Sequence, residues 1–253
     1  GSGGLNLSSG SITVNGTLTV GNIIINGTIS GSSSQVIPSV SGQSGKFLST
    51  NGSTMSWATV TSGGGPKSIS VYNGNSTWNK PSGIKRIWVK CTAGGGGGSG
   101  YGESAGAGAH TETIVNVENI NSISVTVGGG GGGTGYSGRG GNGGTSSFGN
   151  YCSSGGGQGA NRRQQHEGAT GGNPNQGSVR IYGGSGQGHR NPPGLGHGGT
   201  SFWGGSSPTA HRQQQWAQRH RAHAAYGAGG SSGRNSERGG DGRQGIVVVY
   251  EFD

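Results

Sequence analysis

Side chains suited to ligand binding are concentrated in the second half of this sequence, in clusters rich in Arg, His, Gln and aromatic residues. Arg and aromatic residues dominate binding hot spots, and guanidinium groups with planar amides suit carboxylates, phosphates and sugars. We therefore predict that these clusters bind a carbohydrate or an acidic ligand. The predicted binding residues are His211, Arg212, Gln215, Trp216, Arg219, His220, Arg221, His223, Tyr226, Arg162, Arg163, His166, His189, Arg190, Phe202 and Trp203.

Two simpler interpretations apply to the same clusters. The residues from 211 to 225 could form a solvated loop or a short surface helix whose charges serve only solubility. The distribution of charge favours ligand contact, because all five lysines lie before residue 91 whereas every later basic residue is Arg or His. Arg offers a planar fork for carboxylate or phosphate groups, while Lys is a hydrated point charge.

Catalysis and metal binding have little support in the sequence. Only eight acidic residues occur and no pair has a suggestive spacing. Matches to the GxGxxG pattern carry no information in so glycine-rich a chain, and no Gly-Lys-Ser or Gly-Lys-Thr follows them as a phosphate-binding loop requires. The histidine pairs His189/His197 and His220/His223 lack the ligand sets of structural zinc sites. We expect no enzymatic activity, no cofactor and no metal.

Nucleic-acid binding is an alternative, because the formal net charge is +9 and two RGG-like tripeptides begin at Arg139 and Arg238. RGG tracts normally repeat at short spacing with interleaved aromatics, whereas only two occur here. We therefore expect no nucleic-acid partner. A purely structural glycine-rich protein is a third class, although it leaves the Arg, His and Gln clusters unexplained.

Glycine determines how these clusters must be held. Gly accounts for 64 of 253 residues, and only 26% of residues are hydrophobic, against roughly 45–50% in an average globular domain. Low-complexity disorder is therefore one possibility. An ordered domain is favoured by β-like segments on both sides of the glycine-rich region. An internal echo between residues 143–149 and 198–204 favours order as well.

The first part of the chain predicts short strands with one apolar face. Apolar and polar residues alternate between residues 5 and 30, with Asn-Gly and Gly-Asn turns between them. Such strands cannot bury their faces alone, so we predict three chains intertwined in a shaft that extends over residues 1–62. A hairpin follows at residues 44–57, with Phe47, Leu48 and Trp57 as the expected buried side chains. Residues 63–66 are a predicted linker.

A framework of strands is predicted around the glycine-rich region. The strands are expected near residues 68–72, 84–91, 111–117, 122–127 and 246–252, and the last is apolar enough for a buried sheet position. The second and fourth run directly into Gly94–Gly98 and Gly128–Gly133. Cys91 and Cys152 could pair or remain buried thiols. No stretch of about 18 apolar residues occurs, so we expect no membrane insertion.

Several motifs in this order resemble the glycine-rich C-terminal domains of bacteriophage tail fibres and related adhesins. The residues that carry the resemblance are Trp78-x-x-Pro81-x-Gly83-Ile84, the strand entering polyglycine, Gly143–Gly149 and the terminal Gly245–Phe252. The segment at 44–57 is similar to an element common in such fibres. The resemblance covers roughly residues 66–253, with shaft-like sequence before it.

The resemblance implies an all-β protein in which a trimeric β shaft precedes a β-sandwich-like tip domain, residues 67–253, with a polyglycine II-like insert. It implies a homotrimer at the distal end of a virion tail fibre, or of an extracellular surface fibre of a bacterium. Adhesion to a bacterial surface glycan, lipopolysaccharide or outer-membrane protein would be its function. Rods of this kind leave every backbone N–H and C=O pointing outward, and glycine lets the rods approach closely enough to bond to one another.

Overall fold

The computed structural model describes residue 15 and residues 38–59, 64–100, 103–135, 138–161, 168–188, 196–206, 225–233 and 238–253. The chain divides into two compact units, Gly1–Gly64 and Gly65–Asp253. Within the described ranges every regular element is a β-strand, and all strand pairings are antiparallel. The protein is therefore all-β, as predicted.

The described part of the first unit contains one hairpin, formed by β1 (Lys46–Thr50) and β2 (Met55–Thr59). The Asn51 side chain accepts hydrogen bonds from the backbone N–H groups of Ser53 and Thr54, which fixes the turn. The prediction that Phe47 and Leu48 are buried is wrong, because they are 48% and 39% exposed. A two-stranded hairpin has no second layer to cover them. The strands predicted between residues 5 and 30 lie outside the described residues, apart from residue 15.

The second unit is framed by two five-stranded sheets. Sheet I has the order β11-β6-β5-β12-β3 and sheet II the order β10-β9-β8-β7-β4. The strand bounds are β3 (Ser68–Tyr72), β4 (Ser76–Asn79), β5 (Arg86–Thr92), β6 (His110–Asn116), β7 (Ser122–Thr126), β8 (Ser146–Phe148), β9 (Cys152–Ser154), β10 (Pro174–Gln176), β11 (Val179–Ile181) and β12 (Ile246–Phe252). β12 pairs with both β3 and β5, in the interior position that its apolar sequence predicts.

A small hydrophobic core lies between the two sheets. Alternate residues of β5 and β12 point inward from sheet I, and Trp78, Phe148 and Cys152 meet them from sheet II. Glu251 is buried in the same layer, where it accepts hydrogen bonds from Trp78 Nε1 at 2.7 Å and from the hydroxyls of Ser68 and Ser70. The sheets therefore pack face to face around a core with few large side chains.

In the described residues, the glycine-rich sequence between the strands forms ten extended rods that bond to one another. We number the rods in chain order: rod 1 is 93–99, rod 2 is 103–109, rod 3 is 128–135, rod 4 is 138–145, rod 5 is 155–161, rod 6 is 168–173, rod 7 is 182–188, rod 8 is 196–200, rod 9 is 227–233 and rod 10 is 238–245. The glycine runs are thus ordered, unlike the disordered chain that composition alone allows.

Hydrogen bonds from rod 1 repeat every three residues. Its successive N–H groups donate to rods 4, 10 and 2 and then to the same three again, through the pairs Gly94–Gly144, Gly95–Arg243, Gly96–Gly106, Gly97–Gly141, Gly98–Gly240 and Ser99–Glu103. Its carbonyl groups accept from rods 5, 3 and 9 with the same period. A repeat of three residues is that of polyproline II-type backbone. Rod 1 therefore has six bonded neighbours.

The bonding pattern places the rods in three layers. Rod 2 also bonds to six rods, namely 1, 5, 6, 7, 8 and 9, and the other eight close a ring around the central pair. The layers are rods 4-5-6, rods 3-1-2-7 and rods 10-9-8, with adjacent layers bonded to each other. This lattice satisfies backbone groups without a hydrophobic interior, because its core consists of peptide groups.

Close approach of the rods explains the need for glycine at particular positions. A Cβ on Gly97 of rod 1 would lie 2.1 Å from the carbonyl oxygen of Gly132. In rod 3, on the ring, every third position is open: a Cβ on Gly129 would have nothing within 4 Å, and one on Gly132 would come no closer than 3.8 Å to Arg238. The central rods are not pure glycine, since Ala105, Ala107 and Ala109 of rod 2 are fully buried.

Candidate ligand-binding surfaces

The rods alternate in direction, so the connections between them fall at two ends of the lattice. Rod 1 continues β5 away from the sheets and rod 2 returns into β6, and the other odd and even rods follow the same rule. Five connections therefore leave the described rods at the end far from the sheets. The described residues that flank them are Gly100/Glu103, Gly135/Gly138, Asn161/Gly168, Gly188/Gly196 and Gly233/Arg238.

We call the end of the lattice at these five connections the far end. The connecting residues lie outside the described ones, but each of the five sequences contains Tyr or Arg: Tyr101, Tyr136, Arg162 with Arg163 and His166, His189 with Arg190, and Arg234. Two of the predicted clusters are therefore attached side by side. Sequence reasoning missed Tyr101, Tyr136 and Arg234. The sequence signal for these residues was a bulky side chain that separates two glycine-rich segments.

The remaining predicted cluster is attached elsewhere. Its flanks are Ser206 and Ala225, and the Ala225 N–H donates to the Gly205 carbonyl at 3.3 Å. These flanks lie where sheet I meets the lattice, and Tyr226 is half-buried there. The structure therefore assigns the flanks of the predicted clusters to two separate places. The residues of this cluster outside the described part are His211, Arg212, Gln215, Trp216, Arg219, His220, Arg221 and His223.

Phe202 and Trp203, also predicted to bind ligand, form an aromatic corner on sheet I. The Phe202 ring stacks on His110 with centroids 3.7 Å apart and planes 1° from parallel. Trp203 meets both rings edge-on, and its Nε1 donates to Thr92 Oγ1 at 2.7 Å. Both rings remain partly exposed. Their positions are fixed by the sheet beneath them.

A chain of hydrogen bonds continues from this corner through His110. The Thr92 hydroxyl lies 2.7 Å from His110 Nδ1, and His110 Nε2 lies 3.0 Å from Glu112 Oε1. Because the Glu112 carboxylate can only accept, the network assigns the neutral tautomer with the hydrogen on Nε2, and Nδ1 then accepts from the Thr92 hydroxyl. Burial lowers the pKa of His110, and Lys90 adds to that, while the hydrogen bond and charge of Glu112 oppose it.

The charges beside the corner neutralise one another. Lys90 Nζ lies 3.5 Å from Glu112 Oε1 and 4.1 Å from the centroid of the Trp88 ring. Trp88 Nε1 donates to Glu112 Oε2 at 2.9 Å, and the Trp88 ring packs against Tyr250 at 5.3 Å. The corner therefore presents aromatic surface with internally paired ions. Such a surface can stack on a sugar or on another apolar surface.

Among the described residues there is neither a metal-ligand cluster nor a membrane-spanning helix. Among them, no group of three or more His, Cys, Asp and Glu side chains is placed to hold a metal ion. The described part of the chain contains no helix of the length and apolar character needed to cross a bilayer.

Comparison with known proteins places the chain in a family. No curated protein sequence matches it significantly. A family model described as a glycine-rich domain matches residues 69–251, which include the framework strands of the second unit and all ten rods. The match thus extends over most of the chain, and the protein belongs to this glycine-rich domain family.

Proposed function

We propose that the protein is the tip of a homotrimeric fibre that adheres non-covalently to a receptor on a bacterial surface. The observation that carries this proposal is the far end, where five connections with Tyr or Arg in their sequences are anchored side by side on a bonded lattice. A scaffold that fixes the bases of several loops lowers the ordering cost of binding, because less chain has to be immobilised. The fibre would belong to a virion tail or to the surface of a bacterium.

Chain direction within the second unit is consistent with this arrangement. The Lys67 N–H donates to the Glu251 carbonyl at 2.6 Å, so the chain enters the second unit near the end of sheet I that lies opposite the rods. The far end is thus the part of the unit most remote from its point of attachment. A binding surface there is free to meet a receptor.

The sequences at the far end suit an acidic or glycosylated envelope component. Arg side chains bind carboxylate and phosphate groups through two parallel hydrogen bonds, and Tyr rings stack on sugars. An envelope glycan, lipopolysaccharide or an outer-membrane protein would meet these requirements. The cluster of Arg, His and Trp between residues 211 and 226 is a second candidate surface on the same tip.

The trimeric shaft belongs to the same proposal. The β1–β2 hairpin exposes Phe47 and Leu48, and association with equivalent hairpins of other chains would cover them. The residues assigned to the shaft are 1–62 and those assigned to the linker are 63–66.

Binding to bacterial cells and to isolated lipopolysaccharide would test the proposal. We expect the double variant Arg162→Ala/Arg163→Ala to weaken binding about 30-fold, which corresponds to about 2 kcal/mol from the loss of two hot-spot cations. The matched control is Arg212→Ala/Arg219→Ala, which removes the same charge from the other cluster. Loss of binding in the control alone would move the receptor surface to that cluster. Unchanged binding in both variants would contradict the proposal.

Nucleic-acid binding remains the rival function and can be separated by salt. Arg238, in one of the two RGG-like tripeptides, donates to the Gly133 carbonyl at 2.9 Å and to Asp241 at 3.1 Å. That engagement within the lattice favours a structural role for this Arg. Tight binding to DNA that falls steeply with salt concentration would support the rival and count against adhesion.

A further inference from the structure

The outer face of sheet I, on the side away from the core, is largely apolar, and the residues towards its two lateral edges are exposed in the single chain, whereas Val248 and Glu112 near its centre are buried. Strand register joins its side chains into two continuous rows. One row is Ile114, Trp88, Tyr250 and Ile69, and the next is Val179, Glu112, Lys90, Val248 and Val71. Ile114 is 70% exposed, Val71 59% and Ile69 53%. We call the residues of these two rows the apolar face.

Sheet II shows the composition of a solvent-exposed sheet face in this protein. The residues of sheet II that point away from the core are polar, among them Ser122, Ser124 and Thr126 of β7 and Ser147 of β8. A sheet with one solvent-exposed face normally has this alternation of apolar and polar residues along its strands. Sheet I departs from it on the same unit. The apolar face therefore has the composition of a surface that is covered.

The size of the apolar face fits a protein interface. Two rows across five strands about 4.8 Å apart take up about four residues along each strand, which gives a projected area of about 300 Å². The accessible area of such a corrugated surface is larger than its projection. Apolar patches of several hundred Å² mark interaction sites, and a standard interface takes about 800 Å² from each partner.

We infer that the apolar face packs against a second copy of this chain. Within the two rows the charges are matched, since Lys90 and Glu112 pair with each other, and the exposed Arg86 lies beside them on the same side of β5. A surface that covers the two rows must be largely apolar. The chain's own segment between Ser206 and Ala225 does not fit, because its sequence is basic and rich in Gln, with Trp216 as its single large apolar residue.

Both units of the chain point to copies of the same chain as partners. The first unit leaves Phe47 and Leu48 exposed on a hairpin, and the second leaves an open apolar face. Ile69 and Val71 of β3 form one edge of that face. Association of equivalent chains would cover the exposed apolar residues of each unit, whereas a different partner would have to be found for each. The inference specifies the interface of the proposed oligomer, and it does not depend on receptor binding.

Photo-crosslinking of the full-length chain tests the contact directly. Ile114 is replaced by p-benzoylphenylalanine, and the matched control carries the same residue at Ser124, which is exposed on sheet II. Irradiation of the purified protein at position 114 should give a covalent product of twice the chain mass, and position 124 should give at most one-tenth as much. Product of single-chain mass only, or equal yields at the two positions, would overturn the inference.

Thiol accessibility provides a second measurement with a small side chain. The native cysteines are buried, so Ile114→Cys and Ser124→Cys each add one reportable thiol. If a second copy covers the apolar face, the thiol at position 114 should react at least tenfold more slowly than that at position 124. Equal rates in the native protein, or a monomeric mass in sedimentation, would overturn the inference. Neither measurement includes a receptor, so its failure is distinct from failure of the adhesion proposal.

Discussion

Replacing Gly97 by Ala would test whether the centre of the lattice tolerates any side chain. The new Cβ would lie 2.1 Å from the Gly132 carbonyl oxygen, 2.3 Å from the Gly132 carbonyl carbon and 2.7 Å from the Gly133 nitrogen. These atoms are backbone, so the contact cannot be relieved by rotating a side chain. Rods 1 and 3 would have to separate by about 1.3 Å or more to reach ordinary contact distances.

The magnitude follows from the hydrogen bonds that join these two rods. Rod 3 donates to rod 1 from Gly131 to Gly95 at 2.8 Å and from Thr134 to Gly98 at 3.0 Å. Buried groups left without partners cost about 1–3 kcal/mol each, so two broken bonds imply a loss of about 2–6 kcal/mol. Domains are typically stable by about 5–15 kcal/mol, so Gly97→Ala should lower the melting temperature sharply or prevent folding.

Gly129→Ala is the matched control for this experiment. The same methyl group is added to a rod, but nothing lies within 4 Å of the new Cβ. Ala restricts the unfolded chain more than Gly, so the control should be neutral or stabilised by about 0.4–1 kcal/mol. Denaturant unfolding followed by circular dichroism compares the two variants. Equal stability of Gly97→Ala and Gly129→Ala would refute the account of the lattice given above.

Three further predictions concern the framework. Glu251→Leu should lower the free energy of unfolding by about 2–5 kcal/mol in chemical denaturation, because Trp78 Nε1 loses its acceptor. Glu251→Gln should cost at most about 1 kcal/mol, and equal losses in the two variants would contradict the role of Glu251 as a buried acceptor. Because burial lowers the pKa of His110, the unfolded chain binds the proton more tightly than the folded chain, so the free energy of unfolding should fall as pH drops below about 6.5. In thermal melts His110→Gln should flatten that pH dependence, and parallel pH profiles of variant and wild type would count against this role. Burial raises the pKa of Cys91 and also shields Cys152, so neither thiol should react with Ellman's reagent at pH 8 until the protein unfolds, and fast labelling of native protein would disprove their burial.

Local patterns in the sequence predicted much of the framework. Alternating residues located β5, and the apolar run near the C-terminus located β12 in a buried position, because register and burial impose those periods directly. The expected burial of Phe47 and Leu48 failed for a related reason. An apolar side chain specifies only that a partner is needed, and the described part of the first unit holds a single hairpin.

The arrangement of the candidate site was beyond sequence reasoning. The clusters at 162–167 and 211–223 look alike in composition, and nothing local separates them. Their flanks differ in place because rod direction alternates along the chain, which is a property of the whole lattice. The role of His110 could likewise not be predicted from the sequence. Thr92 becomes its neighbour only through the pairing of β5 with β6, and Glu112 lies on the same face because side chains alternate along β6.

The three-residue repeat of the rods also limits how this protein can change over evolutionary time. Insertion of one residue within a rod would rotate everything after it by a third of a turn, so donors would face the wrong neighbours and outward side chains such as Asn142 would turn inward. Only insertions or deletions in multiples of three preserve the phase of a rod. The connections at the far end are not constrained by the three-residue repeat, because each only joins two antiparallel rods. Variation in length and sequence should therefore accumulate at those connections, while the rods between them keep their phase.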